Sequence, residues 1–243
     1  MFKTFDFCRA TPDELHRSLP GDKAIPHPIG SATHAITIDV PPDQVWPWLV
    51  QMGCNRAGWY SYDLLDNGGR HSATTIIPAL QHLAIGDVMP AVPGARDAFV
   101  VVDFTPYKML LLGVPIANTA VEAGVSPAST HTYYSIWVHV LEEMPAHHTR
   151  LITRGHLGAV SLSPPTSRMP SLIRFTTPSE LLVTIILKLP RPVMASIYLF
   201  GHYIMERRHL VGIKQRAERQ TLSGSSPSEE SRTAEIEAGE PVG

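Results

Sequence analysis

Several kinds of residue and motif are scarce in this chain, and each scarcity excludes something. Cysteine occurs twice in 243 residues, as Cys8 and Cys54. The two lie in unrelated contexts without metal-ligand spacing, so neither a disulfide framework nor a zinc site is expected. Net charge is also small, with 20 Lys and Arg against 22 Asp and Glu for a formal -2. No basic field and no Lys/Arg stripe with interleaved aromatics is present, so a nucleic-acid partner is not expected. There is no Gly-x-Ser-x-Gly elbow, phosphate loop, Gly-x-Gly-x-x-Gly or His-Glu-x-x-His. Nucleotide chemistry and zinc hydrolysis lose support, and the reading carries no cofactor and no metal. An uninterrupted membrane-length apolar run is missing too. Residues 181–205 are mostly apolar, but Lys188-Leu189-Pro190-Arg191-Pro192 splits them into pieces too short to span a bilayer. The opening Met-Phe-Lys-Thr-Phe-Asp-Phe-Cys-Arg places charges where a signal peptide would be apolar, and a reducing, cytoplasmic setting is expected.

What is present suits one well-buried domain, since 44% of the residues are hydrophobic. Residues 1–30 read as a Pro-rich lead-in in which Pro20, Pro26 and Pro28 oppose regular structure. A folded domain over residues 31–220 follows. It begins with a half-buried strand over 32–40, where Ile36, Ile38 and Val40 alternate with Ala35, Thr37 and Asp39. Pro41-Pro42-Asp43 stops the strand and offers Asp43 as a helix cap, after which Val45, Trp46, Leu49 and Met52 recur at helical spacing. Residues 98–104 and 109–114 read as one hairpin, and 133–141 and 149–157 as a second, which predicts an antiparallel sheet. Segments 122–129 and 161–171, rich in Gly, Pro, Ser and Thr, read as loops. Toward the C terminus Tyr203, Leu210, Ile213 and Ala217 trace one face of a long helix, with Glu206, Arg207, Lys214 and Glu218 as polar positions. That face is suited to cover the concave side of the strands. Residues 221–243, rich in Ser, Glu, Gly and Pro, predict a disordered acidic tail.

The densest chemistry lies in residues 52–69, where Arg56, Trp59, Tyr60, Tyr62, Asp63, Asp66 and Asn67 share one short connection. Two readings stand side by side. Either the loop forms the wall of a pocket, with the rings giving apolar contact and Arg and Asp fixing orientation, or it is an internally bonded anchor for the preceding helix. Asp66-Asn67-Gly68-Gly69 lacks calcium-ligand spacing and fits a tight turn better. Arg56 and Asp63 are expected to pair. Pairing would lower the Asp pKa and weaken it as a base near neutral pH, which favours a polar latch between this loop and the Glu206-Arg207 part of the C-terminal helix. His202, on the helix expected to line the interior, is the better base candidate. His139 and His156, within strand patterns, and His202 itself are each open to the plainer reading of hydrogen-bonded core residues.

The element order, strand, helix, helical loop, antiparallel strands and long C-terminal helix, is that of the α+β helix-grip fold. Residues 39–53 (Asp-Val-Pro-Pro-Asp-Gln-Val-Trp-Pro-Trp-Leu-Val-Gln-Met-Gly), 56–67 (Arg-Ala-Gly-Trp-Tyr-Ser-Tyr-Asp-Leu-Leu-Asp-Asn), 85–88 (Ile-Gly-Asp-Val) and 205–218 (Met-Glu-Arg-Arg-His-Leu-Val-Gly-Ile-Lys-Gln-Arg-Ala-Glu) resemble bacterial SRPBCC proteins. This superfamily is also called START-like or polyketide cyclase-like. The resemblance spans about residues 32–218 and implies a curved antiparallel sheet wrapped on the C-terminal helix around a mostly apolar cavity. The chain departs from it in the apolar stretch 181–200. Because the superfamily includes binders and cyclases alike, three functions are carried forward. The first is binding of a hydrophobic small molecule of lipid, polyketide or terpenoid type. Here Trp59, Tyr60, Tyr62, Tyr198, Asp66, Asn67 and Glu206 would be contact residues, with Arg56 and Asp63 as polar anchors. The second is a cyclase or dehydratase acting on a polyketide-like intermediate, with Asp63 or His202 as acid/base and Arg56 as oxyanion donor. The third is lipid handling with peripheral membrane contact through 181–200.

Overall fold

The structure is a computed structural model and describes residues 8–93, 98–115, 133–158 and 191–224, with side chains described over 200–220 in the last segment. Its frame is a six-stranded antiparallel sheet of order β1-β6-β5-β4-β3-β2. The strands are β1 (Gly30–Ile38), β2 (Val88–Pro90), β3 (Ala98–Thr105), β4 (Met109–Pro115), β5 (Tyr133–Met144) and β6 (His148–Leu157). Both expected hairpins are present, β3–β4 and β5–β6. Period-2 alternation assigns His34, Ile36 and Ile38 of β1 to one face of the sheet and Thr33, Ala35 and Thr37 to the other.

Four α-helices are described: α1 (Pro12–His16), α2 (Pro42–Gln51), α3 (Asp63–Asp66) and α4 (Arg191–Gly224). Helix α2 begins after Pro41, with Pro42 at its first position and no side-chain cap. Asp43 is therefore an acidic residue of the first turn and not the expected cap, because two consecutive prolines set the entry angle without it. Helix α4, 34 residues long, lies on the concave face. Its inward stripe is Glu206, His209, Leu210, Ile213 and Ala217, all buried. The stripe differs from the one expected at Tyr203, which is 43% exposed, while Glu206, counted among the polar positions and also among the contact residues, is buried on the inward side. Residues 181–190 of the apolar stretch and 225–243 of the tail lie outside the described residues; α4 itself runs on through Gly224. No helix among the described residues is long and apolar enough to cross a membrane.

The concave core joins Ile36, Ile38, Leu110, Leu112 and Leu151 of the sheet to Trp48 and Leu49 of α2 and to Leu210 and Ile213 of α4. The convex face is covered as well. The lead-in, expected to lack regular structure, forms α1 with a Thr11/Glu14 capping box and a 3-10 turn at Asp22–Ala24, and packs Ala10, Leu19 and Ile25 against Ala35, Leu111, Ile136, Val138 and Ile152. Arginine from β6 holds it there. Arg154 donates to the carbonyls of Glu14, Leu15 and Arg17 and to Asp22 at 2.8 Å, while Arg150 donates to both carboxylate oxygens of Glu14 at 2.7 and 2.8 Å. The prolines break long helices but leave these polar anchors intact, so β1 is covered on both faces instead of being half exposed. Cys8 and Arg9 also pair with β1 at its free edge, where the Ala35 N–H donates to the Cys8 carbonyl and Arg9 bridges His34.

Helix α4 approaches the loop before α3 so closely that a Cβ at Gly212 would fall on the Tyr60 carbonyl oxygen and near the Tyr60 side chain. Gly212→Ala is expected to lower stability by about 1–3 kcal/mol through overpacking, even though alanine is the better helix former. Urea unfolding of the variant and its parent measures the difference.

Candidate functional site

The loop over residues 52–69 is an anchor in most of its polar contacts. Arg56 and Asp63, expected to pair, take different partners. Arg56 turns back on the end of α2 and donates through Nε to the Met52 carbonyl at 3.1 Å and through Nη2 to the Val50 carbonyl at 3.0 Å. Asp63 accepts from the Ser72 hydroxyl at 2.5 Å and from the Ser72 N–H at 3.1 Å. Each has found a local acceptor or donor, so the oxyanion-donor role for Arg56 and the base role for Asp63 lose their geometric support. Tyr60 is buried and donates its hydroxyl to the Trp48 carbonyl at 3.0 Å, with the Arg216 guanidinium 4.7 Å above its ring. Asp66 and Asn67 are buried within the loop, and Asn67 Nδ2 donates to the Arg70 carbonyl at 2.8 Å. Gly68 and Gly69, at φ of 62° and 78°, make the expected tight turn. Burial, aided by the neighbouring Asp63 charge, pushes the Asp66 carboxyl up to about 6.

Two residues of the loop face outward from this network. Trp59 enters the interior, donating Nε1–H to the Ala91 carbonyl at 2.9 Å with its ring centroid 5.5 Å from Phe99 and 5.7 Å from Trp137. Tyr62, half exposed, lines an open groove of about 540 Å³ along α4 with Tyr203, Ile204 and Arg208. Tyr198 belongs to α4, but its side chain lies outside the described residues. The loop is latched to α4 as expected, though by other groups: Ser61 Oγ donates to the Met205 carbonyl at 3.1 Å, His209 Nδ1 to the Trp59 carbonyl at 2.6 Å, and Arg216 Nε to the Ala73 carbonyl at 2.7 Å.

Beneath α4 the structure assembles a second group that the loop had overshadowed. His34 on β1 is directly opposite Thr153 on β6, and Thr153 is directly opposite His139 on β5. All three are buried and face α4. His34 Nδ1, Thr153 Oγ1 and His139 Nδ1 have no hydrogen-bond partner. From α4 above, His209 Nε2 lies 3.2 Å from His139 Nε2, and Glu206 accepts from Trp137 Nε1 at 3.3 Å. His202 Nε2 stands 4.0 Å from the Glu206 carboxylate and close over Gly155, where a Cβ would come within 3.3 Å of it. The Tyr203 ring centroid is 5.5 Å from that of His34. His34, His139 and His209 are all held below the ordinary histidine value by burial, His139 well below it. All three rings are therefore neutral near pH 7. Among the described residues no group of three His, Cys, Asp or Glu side chains is placed to hold a metal.

The expected site residues thus divide. Glu206, His202 and Trp59 meet at or beside this row, whereas Arg56, Asp63, Tyr60 and Asn67 are bonded within the loop network and Asp66 is buried beside them with neither carboxylate oxygen partnered. His156 turns to the convex face and bonds Asp22 at 3.0 Å. His34, Thr153 and His209 were missed. The signal for His34 lay in its inward place in the alternation with Ile36 and Ile38, and His209 sits three residues after Glu206 and one before Leu210 on the same helical stripe.

No family model matches the chain, and no curated protein matches it. Solved structures do. An aromatase/cyclase from Streptomyces sp. R1128 is 14% identical with a TM-score of 0.41, covering 82% of this chain and 99% of its own. A Polyketide_cyc-like protein from Corynebacterium glutamicum is 13% identical with a TM-score of 0.35, covering 81% and 96%. A conserved protein of unknown function from Enterococcus faecalis is 13% identical with a TM-score of 0.32; the match covers 56% of this chain and 59% of that one. Likeness at this level carries no argument about function, and the chemistry has to come from the chain's own side chains.

Two opposed pH dependences follow. Asp66, raised in the folded state, favours folding at low pH, and this contribution is lost as pH rises through about 6. Asp66→Asn should therefore be more stable than the parent by about 1–2 kcal/mol at pH 7.5, with the gain gone by pH 4. The lowered histidines have the reverse sign: their contribution is present above about pH 6.5, the unfolded value, and is lost as pH falls. Urea titrations of both proteins between pH 4 and 7.5 separate the two.

Proposed function

We propose that this protein binds a small, largely apolar molecule between the concave face of its sheet and α4, next to Gly155, His34 and His202. The observation that carries this reading is the row of buried polar atoms at His34 Nδ1, Thr153 Oγ1 and His139 Nδ1, none of which has a partner. Leaving a buried polar group unsatisfied costs about 1–3 kcal/mol, and folded proteins keep few of them. Other buried polar atoms also lack a partner, among them Trp48 Nε1 and both Asp66 carboxylate oxygens, but these three stand in consecutive register on one sheet face, which suits a site whose polar contacts are completed from outside the chain. The aromatic wall of Trp59, Phe99 and Trp137 beside them supplies flat apolar surface. Apolar walls with few convergent polar groups are the usual composition of a small-molecule site.

A second reading, acid–base catalysis of cyclisation or dehydration on a bound intermediate, draws support from the approach of His202 to Glu206. A carboxylate beside an imidazole supports proton transfer, and His202 retains about a quarter of its side-chain exposure, so a substrate has access to it. In this reading His202 is the acid/base and Glu206 its orienting partner, without the Asp63 and Arg56 roles.

Native mass spectrometry of the purified protein and displacement of a fluorescent apolar probe test binding. A bound mass or saturable displacement is expected, and Glu206→Gln should weaken displacement by about fivefold to tenfold while shifting Tm little. Absence of any saturable apolar probe binding would overturn the proposal. Loss of turnover in His202→Ala with binding retained would promote the second reading over the first.

A further inference from the structure

The hydrogen bonds around His209 determine which nitrogen of His139 carries a proton. A carbonyl oxygen only accepts, so the 2.6 Å bond between the Trp59 carbonyl and His209 Nδ1 places the His209 proton on Nδ1. In a neutral ring His209 Nε2 is then a bare acceptor. The 3.2 Å contact with His139 Nε2 requires the proton to sit on His139 Nε2, because one of the two nitrogens must donate. His139 Nδ1 is left with an exposed lone pair. That nitrogen is buried and has no partner, and the Thr153 hydroxyl directly opposite it on β6 also has none.

We infer that His139 Nδ1 is a preset hydrogen-bond acceptor for a ligand that carries an O–H or N–H donor on an apolar frame, with Thr153 Oγ1 as the adjoining polar contact. This rests on the proposed binding site beneath α4 and adds the polarity of its ligand. His209 acts as a positioning residue: it touches no ligand in this scheme, but its bond to Trp59 holds His139 in the one tautomer that offers Nδ1. His139 Nδ1 therefore favours alcohols, phenols, enols or amides, whose donor it accepts, over ethers, esters and ketones, which can bond only the Thr153 hydroxyl and leave His139 Nδ1 unpartnered. The Trp137 ring, with its centroid 4.4 Å from that of His139, supplies the apolar surround. Since the row is sealed from solvent, a ligand has to displace side chains of α4 to reach it, and Tyr203, 43% exposed and beside His34, borders that path.

The test uses 2-naphthol and 2-methoxynaphthalene, which share the ring system and the oxygen and differ in the donor proton. On the full chain at pH 7.5, Trp fluorescence titration reads affinity and nitrogen-15 NMR of the histidines reads tautomers. The expected result is a free protein with His139 protonated on Nε2 and bare on Nδ1, about tenfold tighter binding of 2-naphthol, and an upfield shift of His139 Nδ1 when it binds. In His209→Phe the preference for the naphthol should shrink. Equal binding of the two probes with an unmoved His139 signal would overturn the acceptor inference and leave the binding proposal standing. A protonated His139 Nδ1 in the free protein would overturn it too. If neither probe binds and other apolar probes also fail, both readings fall together.

Discussion

The Trp59 carbonyl accepts a hydrogen bond from a histidine 150 residues away, and the position of α4 follows from that contact and its neighbours. One turn after His209, Gly212 lets the helix backbone lie against Tyr60 with no side chain between them, and Arg216 then reaches the Ala73 carbonyl while covering the Tyr60 ring. Ser61 bonds the carbonyl of Met205 one turn earlier. These contacts fall on successive turns of one helix, so they act as a ratchet that sets both its rotation and its translation. Rotation determines that Glu206 and His209 face the sheet. Translation determines which strand residues they meet.

The opposite face of the sheet is held by a different kind of interaction. Arg154 is almost wholly buried, and its guanidinium satisfies carbonyls from α1 and the residue after it together with the Asp22 carboxylate. A buried guanidinium is tolerable only when nearly all its donors are matched, and removing one partner of such a group costs far more than the pair contributes. The lead-in is therefore ordered by where its carbonyls and acids meet arginines, with the apolar contacts of Leu19 and Ile25 filling in around them.

Much of this architecture was legible in the chain. Alternation in residues 32–38, the two hairpins and the helical stripe through Leu210, Ile213 and Ala217 appear where periodicity placed them. The loop over 52–69 was legible as unusual but not as to its purpose. Arg56 and Asp63 looked like partners because they are seven residues apart and opposite in charge. The carbonyls at the end of α2 and the hydroxyl and N–H of Ser72 lay nearer, and short-range hydrogen bonds won over long-range attraction. Proline content misled in the same way for the lead-in, since it reports on helix length and says nothing about which arginine a free carbonyl will meet.

What the amino-acid order determined by itself is the set of faces: which residues of each strand and helix point the same way, a consequence of periods of 2 and 3.6 that local backbone geometry imposes. It also determined the order of elements, and with it the helix-grip arrangement. Only the tertiary structure decided that His34, Thr153 and His139 stand side by side, because the β1–β6 pairing brings His34 to Thr153 from more than 100 positions away and a slip of one in register would turn these side chains to the other face. Only the tertiary structure decided that His209 reaches both Trp59 and His139. Hydrogen bonds act over about 3 Å, so such contacts exist only after packing has placed helix, loop and sheet to within a fraction of that distance.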